Sequence, residues 1–183
     1  MSLCGLVMTG CGTTPATSTA DGSDTPRPSP TVHTPSAMPS TPPGIPSPAT
    51  SSDAGAVAFG RAVVRTFYFA LSTRDATFLT DLVAPRTRCR GCADTVAEIE
   101  RLREASQYQL PGRVRILKAE VTGREDPRVI VTALVRVRPG TWLAEADGAG
   151  GVLAGQRRVR FTLLLAWDAR REAWQLKDYN VSA

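Results

Sequence analysis

Residues 128–138 read RVIVTALVRVR, and the alternation in this stretch decides the fold class. Val129, Val131, Ala133, Val135 and Val137 share one phase, whereas the other phase carries threonine, arginine and two larger aliphatic residues. A period of two predicts a strand with one buried face. Residues 158–168, RVRFTLLLAWD, repeat the pattern. Both segments therefore predict strands of an antiparallel sheet that is polar on one side.

Two further segments extend this sheet. Residues 113–123, RVRILKAEVTG, change phase partway, which predicts a bulge near Ile116. Residues 172–181, EAWQLKDYNV, supply a fourth strand with Trp174, Leu176 and Asp178 in one phase. Short turns are expected at REDP (124–127) and DARR (168–171). The remaining connection, residues 139–156, is long and rich in glycine, and DGAGG (147–151) within it is expected to mark a flexible hairpin.

Helical periodicity precedes the strands. Residues 56–71, AVAFGRAVVRTFYFAL, predict an amphipathic helix in which Gly60 marks close packing. Asp75 is a suitable N-cap for a second helix over residues 76–83, which Pro85 would end. A third helix is expected from about residue 94, where Thr95 and Glu98 have capping-box spacing. Three N-terminal helices packed on a four-stranded antiparallel sheet define an α+β fold.

The chain before residue 54 has a different composition. Residues 12–53 are almost wholly Pro, Ser, Thr, Ala and Gly, with no aromatic residue. Such a segment cannot offset the conformational entropy lost on folding, about 1 to 2 kcal/mol per residue for the backbone. We therefore expect residues 11–53 to be a disordered tether and residues 54–183 to be a single folded domain.

The first ten residues predict export. Residues 3–8, LCGLVM, form an apolar run too short to span a bilayer, typical of a secretory signal peptide over residues 1–10. Residues 7–11, VMTGC, resemble the lipobox of bacterial lipoproteins, with Met8 where leucine is usual. This resemblance implies lipidation of Cys11 and a membrane partner through that anchor, at the extracytoplasmic face of the cell membrane. No Lys or Arg precedes the apolar run, which suggests a translation start upstream of Met1.

The charge of the domain bears on its partners. Residues 54–183 hold 21 Lys and Arg against 14 Asp and Glu, and nearly all the cations are arginine. A basic surface could attract nucleic acid, anionic lipid or acidic polymers. The arginines are spread along the chain without interleaved aromatic residues, and export separates the protein from nucleic acid, so no nucleic-acid partner is expected. Arginines in the exposed strand phase, at Arg136, Arg138, Arg158 and Arg160, disfavour pairing of two sheets and predict a monomer.

Cys89 and Cys92 form a C-x-x-C pair that could be half of a zinc site, a redox pair or a disulfide. Zinc needs four ligands, but the domain has no other cysteine and no histidine, since His33 lies in the tether. No metal is therefore expected. An exported location favours a structural disulfide. Redox activity remains open because neighbouring arginines would lower the pKa of a reduced thiol.

The order of elements resembles the nuclear transport factor 2-like fold, also called SnoaL-like. The segments that carry this resemblance are VVRTFYFAL (63–71) and WQLKDY (174–179). Together with CRGC (89–92) and the proline-rich tether, they resemble an actinobacterial lipoprotein family known as domain of unknown function 6318. The resemblance implies a strongly curved, cone-shaped sheet and an exported location, and it implies no activity.

Enzymes of this cone fold usually place carboxylates, histidines or tyrosines in the pocket, so Tyr68, Tyr108 and Asp178 are candidate pocket residues, although each also suits a packing role. Trp142, in the glycine-rich connection, is a candidate partner contact, although it could also fold back on the sheet edge. No nucleophile with an adjacent base and no phosphate-binding loop is present, so no catalytic residue and no cofactor is assigned.

We therefore expect a non-catalytic module that binds an unidentified protein or small ligand. Two alternatives remain. One is a small hydrolase, isomerase or dehydratase, with Asp178 and a tyrosine as acid and base. The other is a thiol-disulfide protein that uses Cys89 and Cys92.

Overall fold

A computed structural model describes residues 41–45, 50–145 and 148–183 of the chain. The predicted signal peptide, Cys11 and most of the predicted tether lie outside these residues. The helices are α1 (Asp53–Thr73), α2 (Thr77–Thr80) and α3 (Arg90–Glu104). The strands are β1 (Gln107–Leu110), β2 (Val114–Glu125), β3 (Arg128–Val137), β4 (Gly140–Ala144), β5 (Gly150–Leu153), β6 (Gln156–Asp168) and β7 (Ala173–Ser182).

The four strands predicted from alternation form one antiparallel sheet in the order β2-β3-β6-β7. Val131 pairs with Leu163 at its centre, and the alternate residues of β3 and β6 are buried. The register shifts between Ile116 and Lys118, which confirms the bulge predicted there. A further shift separates Leu164 from Leu165 opposite β7. Such irregularities bend a strand and increase its twist.

The glycine-rich connection forms the predicted hairpin and is also part of a sheet. It contains β4 and β5, which form a second, three-stranded sheet with β1 in the order β1-β4-β5. In β5, a Cβ atom at Gly151 would overlap the indole ring of Trp142. The glycine that suggested flexibility therefore leaves room for Trp142 to lie across the hairpin, and pairing with β1 fixes the strands.

Helix α1 is confirmed and packs its apolar side onto the inner face of the four-stranded sheet. Gly60 allows a close approach, because a Cβ there would lie 3.0 Å from Val131 Cγ1 and 3.1 Å from Leu163 Cδ1. By length and composition α1 is also the one helix among the described residues that could cross a membrane. Its apolar residues are instead part of the core, which includes Phe59, Val63 and Val64.

The other two helices differ from the sequence prediction. Only Thr77–Thr80 form α2, and Val83 makes a parallel bridge to Leu176 instead of continuing the helix. Pro85 accounts for part of this, since residues just before a proline disfavour helical geometry. Asp75 lies one residue before the N-cap, although its Oδ1 still accepts a hydrogen bond from the Thr77 N–H at 2.9 Å.

Helix α3 starts at Arg90, several residues earlier than predicted, with Cys89 as its N-cap. The predicted capping box of Thr95 and Glu98 is therefore wrong, because both residues lie inside the helix. Glu98 instead accepts two hydrogen bonds from Arg101. The sequence reading placed the start at polar residues and overlooked that a cysteine sulfur can accept a helix-capping hydrogen bond.

The folded domain also begins earlier than residue 54. Ser52 caps α1 by accepting a hydrogen bond from the Gly55 N–H at 3.2 Å. The buried indole of Trp174 donates from Nε1 to the Thr50 carbonyl oxygen at 2.7 Å. Asp53 forms an ion pair with Arg124 of β2. The chain is therefore fixed to the domain from at least Thr50.

Candidate functional site

The first turn of α3 is fixed by the C-x-x-C pair. Cys89 and Cys92 are joined by a disulfide, as the favoured sequence interpretation predicted. The Cys89 sulfur also accepts a hydrogen bond from the Cys92 N–H at 3.2 Å. Cys89 is only 8% exposed and Cys92 5%. A buried disulfide on core residues restrains the start of a helix and is poorly accessible to a protein substrate.

Gly91, between the two cysteines, lies directly against β7. A Cβ atom there would overlap the carbonyl oxygen of Tyr179. The Gly91 N–H donates to Asp178 Oδ1 at 3.1 Å, and the Tyr179 N–H donates to the same oxygen at 2.8 Å. The negative charge of a carboxylate at this position also stabilises the N-terminus of α3 electrostatically. Asp178 therefore joins the last strand to the first turn of α3.

Thr95 and Tyr179 form the next contact along α3. The Thr95 hydroxyl lies 3.0 Å from the Gly91 carbonyl oxygen and 2.5 Å from the Tyr179 hydroxyl. A carbonyl can only accept, so Thr95 donates to Gly91 and the Tyr179 hydroxyl donates to Thr95. Burial raises the pKa of Tyr179 to about 12. Tyr179 is therefore a neutral phenol at physiological pH, and its proton is donated to Thr95.

A cavity of about 550 Å³ opens beside these residues, between α1, α3 and β7. Its apolar lining comes from Phe67, Leu71 and Val181, and its polar lining includes Gln109 of β1. The other lining residues are Arg90, Gly91, Asp94, Thr95, Glu98, Asp178, Tyr179 and Asn180. Glu98 is drawn towards β1, where Gln109 Nε2 donates to it at 3.3 Å.

A smaller cavity of about 250 Å³ adjoins the first. The two share Phe67, Leu71, Gln109 and Val181 as lining residues, so we describe them together as the two-chamber cleft. Tyr68 lines the smaller chamber, and burial raises its pKa to about 12. The cleft ends against a cluster of edge-to-face aromatic contacts that joins Phe67, Tyr68, Phe161 and Tyr179.

The three candidate pocket residues do not converge on one point. Asp178 lines the larger chamber and Tyr68 the smaller one. Tyr108 lines neither chamber, because it lies in β1 beneath the guanidinium of Arg74, whose Cζ is 3.6 Å from the ring centroid. Arg74 also donates to Glu145 at 2.5 Å, and a hydrogen bond to Glu145 raises the pKa of Tyr108. An acid-base pair of Asp178 with Tyr108 is therefore not formed.

Two other candidates have different outcomes. Trp142 lies in β4 opposite Gln109 and not in a loop, with its ring over Gly151. This position corresponds to the alternative in which the tryptophan folds back on the sheet. Cys11 lies outside the described residues, and its lipidation stays a prediction.

The sequence analysis missed Tyr179, Thr95 and Gly91. It assigned Asp178 to the inward phase of Trp174 and Leu176, but the register shift opposite Leu164 and Leu165 makes Lys177 an extra residue. Tyr179 therefore takes the inward position, opposite Leu163, and Asp178 pairs with Leu164. A bulge of this kind leaves no mark in a short alternating pattern. The Gly in CRGC was the available signal for a close backbone approach.

Two other features of the described residues bear on function. A second cavity of about 550 Å³ lies near the start of α1, lined by Thr50, Phe59 and Trp174 among others, and none of the candidate pocket residues lines it. Within the described ranges, no three His, Cys, Asp or Glu side chains are grouped so that they could hold a metal ion.

No protein-family model matches the chain, and no curated protein matches it in sequence. Its solved structural neighbours include Aln2 from Streptomyces, with 14% identity over 76% of this chain and 93% of that one at a TM-score of 0.44. The association domain of Caenorhabditis elegans CaMKII covers 73% of this chain and 100% of its own, with 14% identity and a TM-score of 0.44.

An NTF2-like protein of unknown function from Pseudomonas putida is also similar, with 14% identity, 71% and 87% coverage, and a TM-score of 0.42. These similarities concern the path of the chain and carry no information on activity or partners. The α+β arrangement, with helices packed on antiparallel strands, is established by the coordinates themselves. Domain of unknown function 6318 is not among these matches.

Proposed function

We propose that this protein is an exported lipoprotein, and that its folded domain binds a small, largely apolar ligand in the two-chamber cleft without transforming it. The observation that carries the proposal is the state of the polar groups along the cleft. Asp178 Oδ1 accepts two backbone N–H groups, and the Tyr179 hydroxyl donates to Thr95. These groups shape the cleft and are already engaged with the protein.

Acid-base chemistry would need a group that exchanges protons near neutral pH. The domain contains no histidine, and the pKa values of Tyr68 and Tyr179 are both raised to about 12. The neutral Tyr68 phenol can donate or accept a hydrogen bond from a ligand, and the Tyr179 oxygen can only accept one, but both are poor bases at pH 7. This supports binding over catalysis.

The shape and lining of the cleft suggest the class of ligand. The smaller chamber is bordered mostly by apolar or aromatic residues, including Tyr68, Pro111, Val137 and Leu153, and its polar lining residues are Gln109, Arg138 and Gln156. The larger chamber adds Asn180, whose amide, like that of the shared Gln109, can orient a polar edge. Ligand sites of this size are mostly apolar with a few placed polar groups. An aromatic or alicyclic molecule with one polar edge fits this description.

The binding proposal can be tested with the neutral fluorescent probe N-phenyl-1-naphthylamine, which has no charge to draw it to the arginines. In the full chain, Leu71→Trp adds bulk where the chambers meet, and we expect it to weaken probe affinity at least about tenfold. The matched control is Leu117→Trp, since Leu117 is 38% exposed and lines neither chamber. Equal probe affinity in both variants, with unchanged melting temperatures, would refute the cleft as the site.

The exported location is tested separately. Cys11→Ser removes the thiol that a lipid anchor requires, so we expect the variant to leave the membrane fraction of its native host while wild-type protein stays there. Membrane retention of the variant would contradict anchoring at Cys11, whatever the outcome for the cleft.

A further inference from the structure

The outer face of the four-stranded sheet, opposite the core, carries a dense group of arginines at one end. In the strand register Arg115 pairs directly with Arg136. The register between β3 and β6 shifts between Val135 and Val137. This shift places two β6 residues, Arg157 and Arg158, opposite Arg136. Arg160 follows on the same side, opposite Leu134. We call the four exposed residues Arg115, Arg136, Arg158 and Arg160 the arginine face.

The sequence analysis described the arginines as spread along the chain, and the fold corrects that description. Residues that are 20 to 45 positions apart become neighbours because three antiparallel strands bring them to one end of the sheet. Two more exposed arginines extend the group, since the Arg138 N–H donates to the Arg113 carbonyl oxygen at 3.2 Å.

The charges of the arginine face are not neutralised within the described part of the protein. None of the ion pairs found among the described residues includes one of its four members. Glu120 of β2 is engaged by Lys118 at 2.7 Å. Like charges placed directly opposite each other on adjacent strands destabilise a sheet. Such an arrangement is favourable when an anionic partner supplies the missing charge.

The form of the face narrows the choice of partner. Neighbouring strands lie about 4.8 Å apart, so the arginines span a broad, shallow surface across three strands instead of lining a groove. Leu134 is the outward residue of β3 beside the arginines, and the outward positions of β3 and β6 beyond them are Thr132, Ile130, Thr162 and Leu164. None of these residues has an aromatic ring on which a nucleobase could stack. A second copy paired through this face by a twofold axis would set arginine against arginine.

We propose that the arginine face docks the domain on an anionic phospholipid bilayer by binding lipid phosphates. A flat group of guanidinium ions can bind several headgroups at once, each with the paired hydrogen bonds that guanidinium and phosphate form. A shallow depression of about 380 Å³, lined by Leu134, Arg158, Arg160, Ser182 and Ala183, lies on the β6–β7 side of the face. The inference rests on the proposed location at a membrane surface, and it adds a second, reversible contact to the lipid anchor.

The test uses the full chain with Cys11→Ser in every protein, so that lipidation at Cys11 cannot contribute. Binding is measured by vesicle sedimentation at 100 mM NaCl, with vesicles of pure phosphatidylcholine and of 70% phosphatidylcholine with 30% phosphatidylglycerol. We expect binding only to the anionic vesicles, and weaker binding as NaCl is raised. The triple variant Arg136→Gln, Arg158→Gln, Arg160→Gln should bind about 100-fold more weakly, at roughly fivefold per arginine.

A matched control keeps the same net charge. Arg65→Gln, Arg103→Gln and Arg170→Gln remove three exposed arginines that also take no part in the described ion pairs but lie on α1, α3 and the β6–β7 turn. The affinity of this control variant for the anionic vesicles should fall by no more than about threefold. Equal losses in the two triple variants would show that only net charge matters and would overturn the proposal.

Two further outcomes would also overturn it. One is an absence of binding to anionic vesicles by the parent Cys11→Ser protein. The other is unchanged vesicle binding by the arginine-face variant together with lost binding to a 20-base-pair DNA duplex, which would assign the face to nucleic acid. None of these results depends on whether Cys11 is lipidated in the native host, because fractionation of that host tests the anchor by itself.

Discussion

The two faces of the four-stranded sheet share the same backbone and differ completely in chemistry. On β3, Val131, Ala133 and Val135 are fully buried against α1, whereas Arg136 is exposed on the other side. Each strand alternates in this way because successive side chains point to opposite faces. The inner face supplies the packing that holds the domain together, and the outer face remains available for recognition. Substitutions on one face should therefore leave the properties of the other unchanged.

The largest contrast is expected between neighbouring residues of β6. Phe161 is fully buried and contacts Phe67 and Tyr68, while Thr162 points outward. Phe161→Ala should lower the free energy of unfolding by about 3 to 5 kcal/mol, because it leaves a cavity where helix and sheet meet. Thr162→Ala should cost about 0.5 kcal/mol or less. Urea unfolding of both variants measures the difference. Similar losses of unfolding free energy would mean that the inner face does not contribute more to stability than the outer face.

A second test adds volume to the inner face instead of removing it. Gly60→Val would push side-chain atoms into Val131 and Leu163, so we expect a loss of about 1 to 3 kcal/mol from overpacking. Arg65→Val is the control, since Arg65 is exposed on the same helix and reports the helix propensity of valine alone. If Gly60→Val lowers the free energy of unfolding no more than Arg65→Val does, α1 can move away from the sheet to make room for the added side chain.

The buried tyrosine of the inner face predicts a dependence on pH. The pKa of Tyr179 is 10.0 in an exposed reference and about 12 in the fold, with burial as the main cause. The stability contributed by the neutral phenol is therefore fully present below pH 10 and is lost as the pH rises towards 12. Allowing for partial access of solvent, we expect the loss in this window to be on the order of 1 kcal/mol.

Tyr179→Phe removes this ionisation, so its stability should decline less between pH 10 and 12 than that of the wild type. Urea unfolding at several pH values measures the two slopes, and absorbance at 295 nm follows the ionisation directly. Tyr68→Phe provides a comparison, because burial also raises the pKa of Tyr68 to about 12. Parallel slopes for wild type and Tyr179→Phe would contradict the assignment.

The sequence predicted the architecture where a pattern had a single physical cause. Alternation over ten or more residues identified β3 and β6, since only a half-buried strand has that period. The second sheet escaped prediction because β4 and β5 are short and contain glycine, and their pairing with β1 depends on chain segments far apart in sequence. Composition alone predicts a flexible hairpin there, and not its pairing with a third strand.

The candidate site was less predictable than the fold, because Lys177 is an extra residue in the pairing of β7 with β6. One extra residue in β7 exchanges the faces of Asp178 and Tyr179, and no local pattern records it. Cys89 and Cys92 were found from their spacing, and their disulfide was the favoured interpretation. Gly91, Thr95 and Tyr179 come together only when α3 lies on β7, so their role depends on tertiary packing.

The smallest effect on stability is expected on the outer face. Arg136→Gln, Arg158→Gln and Arg160→Gln together should change the free energy of unfolding by no more than about 0.5 kcal/mol at 500 mM NaCl, because these side chains are exposed and form none of the described ion pairs. At 20 mM NaCl the variant should become slightly more stable than the wild type, since repulsion between arginines is less screened there. Urea unfolding at both salt concentrations checks the sign. A loss above about 1 kcal/mol in either condition would mean that the arginines support the fold itself, and the division between the inner and outer faces would not hold.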